Sequence, residues 1–343
     1  MRILYKIANK LFRIVKKILK LLTSRMVIIG VALLLEFCWL AGIMMQLNEK
    51  SVYINYAVTI LSLIAVLSII NNPKMNPGYK LMWAVCILAL PVTGICLYGI
   101  LGHSSVARKF RTHYDTVLLS QGGVLGEEEE TRKKLEEEKI LAAGQSSYLT
   151  NYAHYPVYEN TETEYYPLGD VWFEHFIEEL KKAEHYIFME YFIISEGYLW
   201  DTVLEILKEK AAAGVDVRLI YDDFGCVTTL PYQYYKSLQQ MGIKCAAFNQ
   251  FRPVLNVILN NRDHRKIAVI DGHTAFTGGI NLADEYINRK ERFGHWKDSG
   301  ICLHGEAVWS FTVMFLQMWS TITGMECNFE SYRPEIYHEE AFK

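Results

Sequence analysis

Three apolar runs, residues 26–45, 52–70 and 81–101, fill most of the first third of this chain. Each approaches the roughly 20 residues that a helix needs to cross a bilayer. A chain built this way cannot be one soluble globule, and we expect two or three transmembrane helices within 26–102, followed by a soluble domain. Repeated runs without a small-residue cleavage site argue against a signal peptide. Glu36 interrupts the first run, and an acid in lipid needs a partner or a re-entrant position. Residues 71–78, rich in Asn and Pro, read as a tight loop. Pro91 and Gly94 lie inside the third run and are expected to be accommodated within a continuous span.

Ahead of these runs, residues 1–25 carry eight Lys and Arg residues, interleaved with apolar positions 4, 7, 11, 14, 15, 18 and 22. That spacing is a basic amphipathic helix suited to an anionic membrane surface. The Lys and Arg bias puts the N-terminus in the cytoplasm, so three spans would place the domain on the far side. Arg108, Lys109 and Arg111 argue for the opposite face, which two spans would give.

Beyond the apolar third, a net charge of −3 gives no general attraction to polyanions, and no long basic run suggests a nucleic-acid partner. The seven cysteines form no CxxC pair and no metal-ligand spacing, and we read them as free thiols with no metal and no cofactor. Residues 103–150 read as a charged linker, because 126–139 is dominated by Glu, Lys and Arg at helical i,i+4 spacing.

Domain-like patterning covers 151–330. An amphipathic helix over 171–180 follows Asp170, a candidate N-cap. A buried strand over 185–194 comes next, then a helix over 200–213, a strand over 215–221, a helix over 231–241 and a strand over 243–248. Strands and helices alternating across short Gly-containing turns predict an α/β domain with a mixed, largely parallel sheet flanked by helices. In such sheets ligands sit at strand ends.

The stretch that carries chemistry is Asn260-Asn261-Arg262-Asp263-His264-Arg265-Lys266, running into the apolar strand 266–270 and stopped by Asp271-Gly272. Side chains alternate along a strand, so His264 and Lys266 share a face and Asp271 has the opposite parity. An imidazole beside an ammonium suits an anionic phosphodiester: His264 can attack phosphorus and form a phosphohistidine without a metal, while Lys266 and Asn281 hold the phosphoryl oxygens. Gly278-Gly279 allows a second backbone segment to come close. Asp271 is expected to brace the turn or orient an imidazole. Taken singly each residue is ordinary; the spacing H-x-K-x4-D followed by Gly-Gly-x-Asn is what singles them out.

That pattern resembles the phospholipase D superfamily. Asn76-Pro77-x-x-Lys80-Leu81-Met82-Trp83, Pro91, Gly94, Trp296-x-Asp298, Gly305 and Trp319 are similar to the membrane-anchored bacterial cardiolipin synthases. The resemblance implies a multi-pass protein of a bacterial cell membrane that converts two phosphatidylglycerol molecules to cardiolipin and glycerol. It implies His264 as the nucleophile, Lys266 and Asn281 as phosphate ligands, Gly279 at the substrate and Asp271 in support. Arg262 and Arg265 flank the site as candidate headgroup contacts, or as solvated strand-end residues, and Glu190 is a candidate partner for a site cation. Members of this type carry two such motifs, and this sequence has one. The second half is expected from a domain beyond residue 343, with 331–343 as the tail or start of its link, or from a homodimer mate. The alternatives are a homodimeric phosphodiesterase and a catalytically silent membrane partner subunit.

Overall fold

The computed structural model describes residues 25–44, 49–73, 75–102, 105–120, 123–126, 129–138, 140–250 and 262–334. Apart from Arg25, the basic segment 1–25 lies outside the described residues, as do 335–343. Two compact units divide the chain, one ending at Ser105 and one beginning at Val106.

In the first unit, α1 (Arg25–Met44) and α2 (Glu49–Ile70) are unbroken helices. Among the described residues one helix, at Val52–Ile70, is long and apolar enough to cross a membrane. The third expected span is two short helices, α3 (Pro77–Ala89) and α4 (Pro91–Leu101), separated where Leu90 leaves the helical region at φ −134° and ψ 79°. Proline has no N–H to continue the ladder and biases its predecessor away from helix. At about 1.5 Å per residue, α3 reaches about 20 Å, short of a hydrocarbon core of about 30 Å.

α3 and α4 fold back on each other. The Trp83 and Tyr98 rings meet edge-on at 5.3 Å, and a Cβ on Gly94 would stand 2.6 Å from the Cys86 carbonyl oxygen. Pro91 and Gly94 therefore build a hairpin and are not absorbed into a continuous span, so the described residues do not support the multi-pass reading. Glu36 has the partner it needed: it is 3% exposed, and its Oε2 accepts the Thr93 amide at 2.7 Å. That amide belongs to the first turn of α4, where N–H groups have no partner within the helix and a carboxylate meets the positive end of the dipole. The 71–78 loop is tight as expected, with Asn76 accepting the Gly78 amide at 2.9 Å.

The second unit is built on a seven-stranded sheet of order β1-β7-β6-β5-β2-β3-β4. Its strands are β1 (Thr161–Tyr166), β2 (Tyr186–Tyr191), β3 (Asp216–Asp222), β4 (Lys244–Phe248), β5 (Lys266–Ile270), β6 (Thr274–Gly278) and β7 (Gly300–Gly305). Only β2-β3 and β3-β4 pair in parallel; the other four pairings are antiparallel. The sheet is mixed as expected, but not largely parallel. A short turn at 271–273 joins β5 to β6 as a hairpin, which needs no crossover helix. β1, β6 and β7 complete the antiparallel half and lack the long apolar runs that mark β2, β3 and β5.

Two apolar layers cover the sheet. On one face α8 (Gly169–Lys182) and α9 (Tyr198–Ala212) bury Trp172, Phe176, Trp200 and Leu207 against Met189, Ala268 and Phe276. On the other, α11 (Val308–Thr323) buries Phe315, Leu316 and Trp319 against Phe188, Ile220 and Val269. A large apolar side chain buried in this way contributes about 1.5–3 kcal/mol relative to exposure. Between these layers in sequence, α10 (Tyr234–Gln240) is shorter than the 231–241 helix expected.

Asp170 is not the cap of α8. Leu168 holds that position without a side-chain bond, and Asp170 lies in the first turn, accepting Asn288 Nδ2 at 2.9 Å. The expected linker over 103–150 includes three helices, α5 (Ser105–Ser120), α6 (Glu129–Glu138) and α7 (Ile140–Tyr148). α5 is part of the domain, because Phe110 packs edge-on against Phe248 at 5.5 Å. α6 carries the expected i,i+4 ion pairs Lys133–Glu129 and Arg132–Glu136.

Candidate active site

Residues 262–265 lead into β5 without being part of it, and their alternation distributes four polar side chains over both faces of the sheet. His264 and Lys266 fall on the α8 and α9 face. Lys266 Nζ lies 3.2 Å from His264 Nδ1 and donates to the His264 carbonyl at 2.8 Å. His264 is exposed, whereas Lys266 is buried. Phe192, just past β2, sets its ring 4.6 Å from the imidazole and 5.4 Å from Lys266 Nζ. Burial pushes the Lys266 ammonium down to about 8, against the opposing pull of Asp298 and Asp263.

Asp298 is the residue that sequence reasoning left without a role. A Cβ on Gly279 would stand 1.8 Å from Asp298 Oδ1, and the Gly279 amide donates to Ser299 O at 2.9 Å. Gly278, at φ 144°, approaches the same segment, with a Cβ position 2.3 Å from Ser299 O. The glycine pair thus admits the backbone that brings Asp298 within electrostatic reach of Lys266. The pair itself was the signal: two adjacent glycines mark a close approach, without saying which residue arrives.

Asn281 does not reach out to a ligand as expected. It is 2% exposed, its Oδ1 accepts the Ile193 amide at 3.0 Å, and its Nδ2 donates to the Tyr286 hydroxyl at 2.7 Å. Its side chain fixes the segment that carries Phe192 to His264.

Asp263 and Arg265 take the opposite face. Arg265 Nη2 lies 2.6 Å from Glu190 Oε1 and its Nε is 3.0 Å from Asp263 Oδ1. The Glu190 contact is a close ion pair without good hydrogen-bond alignment. Burial drives the Glu190 carboxyl well above the usual carboxylate range, with Arg265 opposing and Asp263 adding to the rise. For Asp263 burial acts upward too, but the neighbouring Glu190 carboxyl and the Arg265 guanidinium outweigh it and hold this carboxyl below its usual range. Glu190 is thus paired with Arg265 on the face opposite His264 and Lys266, and not with a cation of the reacting pair.

Neither arginine is a free headgroup contact or a solvated strand end. Arg262 Nη1 pairs with Asp222 Oδ1 at 3.2 Å, and its guanidinium covers the Phe224 ring at 4.6 Å. Asp222, fully buried, also accepts the amides of Asp263, Phe224 and Gly225. It anchors the entry to β5.

Asp271 lies at the other end of β5. Its Oδ1 accepts the His185 and Tyr186 amides at 2.8 and 2.7 Å, and its Oδ2 accepts Glu184 at 2.7 Å. Five strand residues separate it from the His264 end, on the order of 17 Å at about 3.3 Å per residue. The catalytic role given to Asp271 is thus replaced by a structural one: it holds the start of β2 in register. A cavity of about 850 Å3 between α5, residues 150–156 and α11 is lined by Tyr114, Leu118, Val313 and Gln317 and includes none of these groups.

What remains is an exposed imidazole beside a cation of depressed basicity at a strand end, an arrangement that can receive an anionic tetrahedral group. Residues 176–319 match the family described as cardiolipin synthase, PLD-like domain, and residues 60–103 match the phospholipase D-nuclease N-terminal family. An uncharacterised protein of Streptococcus mutans is 40% identical over 288 residues, which cover 80% of this chain and 59% of that one. The cardiolipin synthase of Alkalihalophilus pseudofirmus is 32% identical over 269 residues, 77% of this chain and 53% of that one. Among solved structures, NucT from Helicobacter pylori aligns at 13% identity with a TM-score of 0.37, over 47% of this chain and 97% of that one. The chain spans about half to three fifths of the length of these two curated relatives.

Proposed function

We propose, for a chain whose residues 176–319 belong to the phospholipase D-like domain family of the cardiolipin synthases, that it transfers a phosphatidyl group from one phosphatidylglycerol to another through a covalent intermediate on His264. The observation that carries this reading is the contact of Lys266 Nζ with His264 Nδ1 at 3.2 Å, with the imidazole exposed.

His264 Nε2, on the ring edge away from Lys266, forms the bond to phosphorus while the bond to the glycerol oxygen breaks. Lys266 offers the cation for the phosphoryl oxygens. With Lys266 donating to Nδ1, a neutral imidazole keeps its proton on Nε2, the wrong tautomer for attack. When Lys266 turns to the phosphate, Nδ1 is released to hold the proton and Nε2 becomes nucleophilic. The hydroxyl of a second phosphatidylglycerol then displaces the histidine, giving cardiolipin. The leaving glycerol needs an acid, and the one H-x-K-x4-D motif in this sequence supplies the nucleophile alone. The acid comes from a second half-site, in further sequence or in a second copy. The apolar helix at Val52–Ile70 is the membrane anchor in this reading.

Membranes holding the chain, given labelled phosphatidylglycerol, are expected to release glycerol and form diphosphatidylglycerol, and His264→Ala is expected to abolish this. Phosphatidic acid in place of diphosphatidylglycerol would instead support hydrolysis. Turnover that survives His264→Ala would sink the reading.

A further inference from the structure

The loop 289–297 follows the short helix Asp284–Ile287 and leads directly to Asp298. Asn288, in the left-handed region at φ 57°, clasps its base. Its Oδ1 accepts the Trp296 amide at 2.7 Å, and its Nδ2 donates to Trp296 O at 3.1 Å and to Asp170 Oδ1 at 2.9 Å. At the tip of this fixed loop, Phe293 is 79% exposed, its ring tilted 6.0 Å from that of Trp296 and 5.3 Å from the Arg292 guanidinium. A single exposed aromatic is ordinary. One held out on a loop pinned at its base is a presented side chain.

The charge around it is specific. Residues 289–297 hold four cations and one carboxylate, a net +3 in a chain of net −3. Arg289 is stacked on Tyr198 and Arg292 is paired with Glu285, which leaves Lys290 and Lys297 exposed without an ion pair among the described residues. Lysines around an exposed aromatic complement an interface of apolar chains beneath anionic phosphates. The loop following β3, at the same end of the sheet, also exposes Val227 and Tyr232.

The loop is joined to the reacting pair by contacts. Trp296 packs on Tyr286 at 5.1 Å, the Tyr286 hydroxyl receives Asn281 Nδ2, and Asn281 Oδ1 fixes Ile193 beside Phe192, which lies against His264. We propose that the loop 289–297 docks the catalytic face onto an anionic phospholipid surface, with Phe293 entering the apolar layer and Lys290 and Lys297 meeting phosphates. This rests on the phosphatidyl-transfer reading, and names the surface from which the substrate enters.

The test places p-benzoylphenylalanine at position 293 of the full chain in vesicles of phosphatidylglycerol and phosphatidylcholine. Photolysis is expected to add the mass of one phospholipid to the peptide that contains residue 293. Lys290→Gln with Lys297→Gln is expected to lower that yield about tenfold in these vesicles and little in phosphatidylcholine alone. A cross-link to a second copy or to another polypeptide, the absence of a lipid adduct, or a yield indifferent to the two lysines would each overturn the proposal. The adduct needs no turnover, so His264→Ala is expected to keep it. Its absence with turnover intact refutes the docking alone, and its presence without turnover in the wild type refutes the transfer reading alone.

Discussion

Gly279 and Asp298 occupy one another's space: a single methyl on the glycine would sit 1.8 Å from the aspartate Oδ1. Gly279→Ala is therefore expected to push Asp298 and Ser299 out of place. Such overpacking costs about 1–3 kcal/mol. Turnover is expected to fall at least tenfold as Asp298 moves relative to Lys266. Thermal unfolding and lipid turnover measured on the same preparation check both effects, and wild-type kinetics would show that Asp298 is not needed where it stands.

Lys266 gives a pH dependence with a definite sign. With the ammonium depressed to about 8, its charge is present below that pH and lost above it, so the KM for an anionic lipid is expected to rise as pH passes through 8. The folded state binds fewer protons than the unfolded chain between about 8 and the ordinary lysine value near 10.4, so the contribution of Lys266 to stability improves as pH rises through that window. Lys266→Met is expected to abolish turnover without lowering the melting temperature. A melting point well below the wild type would count against a lysine held at the expense of the fold.

Glu190 and Arg265 predict a defect in folding, not in lipid affinity. Glu190→Ala leaves a largely buried guanidinium with only Asp263 as partner, and breaking a buried pair costs about 3–5 kcal/mol. Urea midpoints are expected to fall accordingly for Glu190→Ala and for Arg265→Ala. The KM for lipid of whatever remains folded is expected to be unchanged. A raised KM in Arg265→Ala with an unchanged midpoint would restore the headgroup role that the geometry removes.

Asp271→Ala removes the acceptor of three amides and puts alanine at φ 50°. Unsatisfied amides and the left-handed backbone together are expected to cost about 2–4 kcal/mol. Asp271→Asn keeps a side chain that tolerates this backbone region and is expected to recover part of the stability. Activity per folded molecule is expected to stay near wild type in both, measured at a temperature where each is folded.

Local pattern made much of this readable. The bounds of β5 follow from its apolar run and its Asp-Gly stop, and the shared face of His264 and Lys266 follows from alternation alone. Burial across the sheet does not show in one sequence. Arg262 and Arg265 look like free cations until Asp222 and Glu190 are brought to them by β3 and β2, which lie more than 30 residues earlier in the chain. The antiparallel half was missed because β1 reads Thr-Glu-Thr-Glu-Tyr-Tyr and β7 is bounded by glycines, so neither carries a hydrophobic run. In the apolar third, hydropathy counts residues but does not register that Pro91 reverses the chain, which is why a run of spanning length is a hairpin.

The face-splitting of residues 263–266 also limits how this stretch can vary. Asp263 and Arg265 belong to a buried ion network, His264 and Lys266 to the reactive side, and the assignment depends only on odd and even position along the chain. Losing or gaining one residue between Asp263, where Asp222 anchors the chain, and Ile267 would turn the imidazole into the core and deliver a guanidinium to the substrate. Substitutions here can be graded in effect, but a change of length by one is all or nothing. Natural variation in this segment should therefore preserve its spacing more strictly than its residue types.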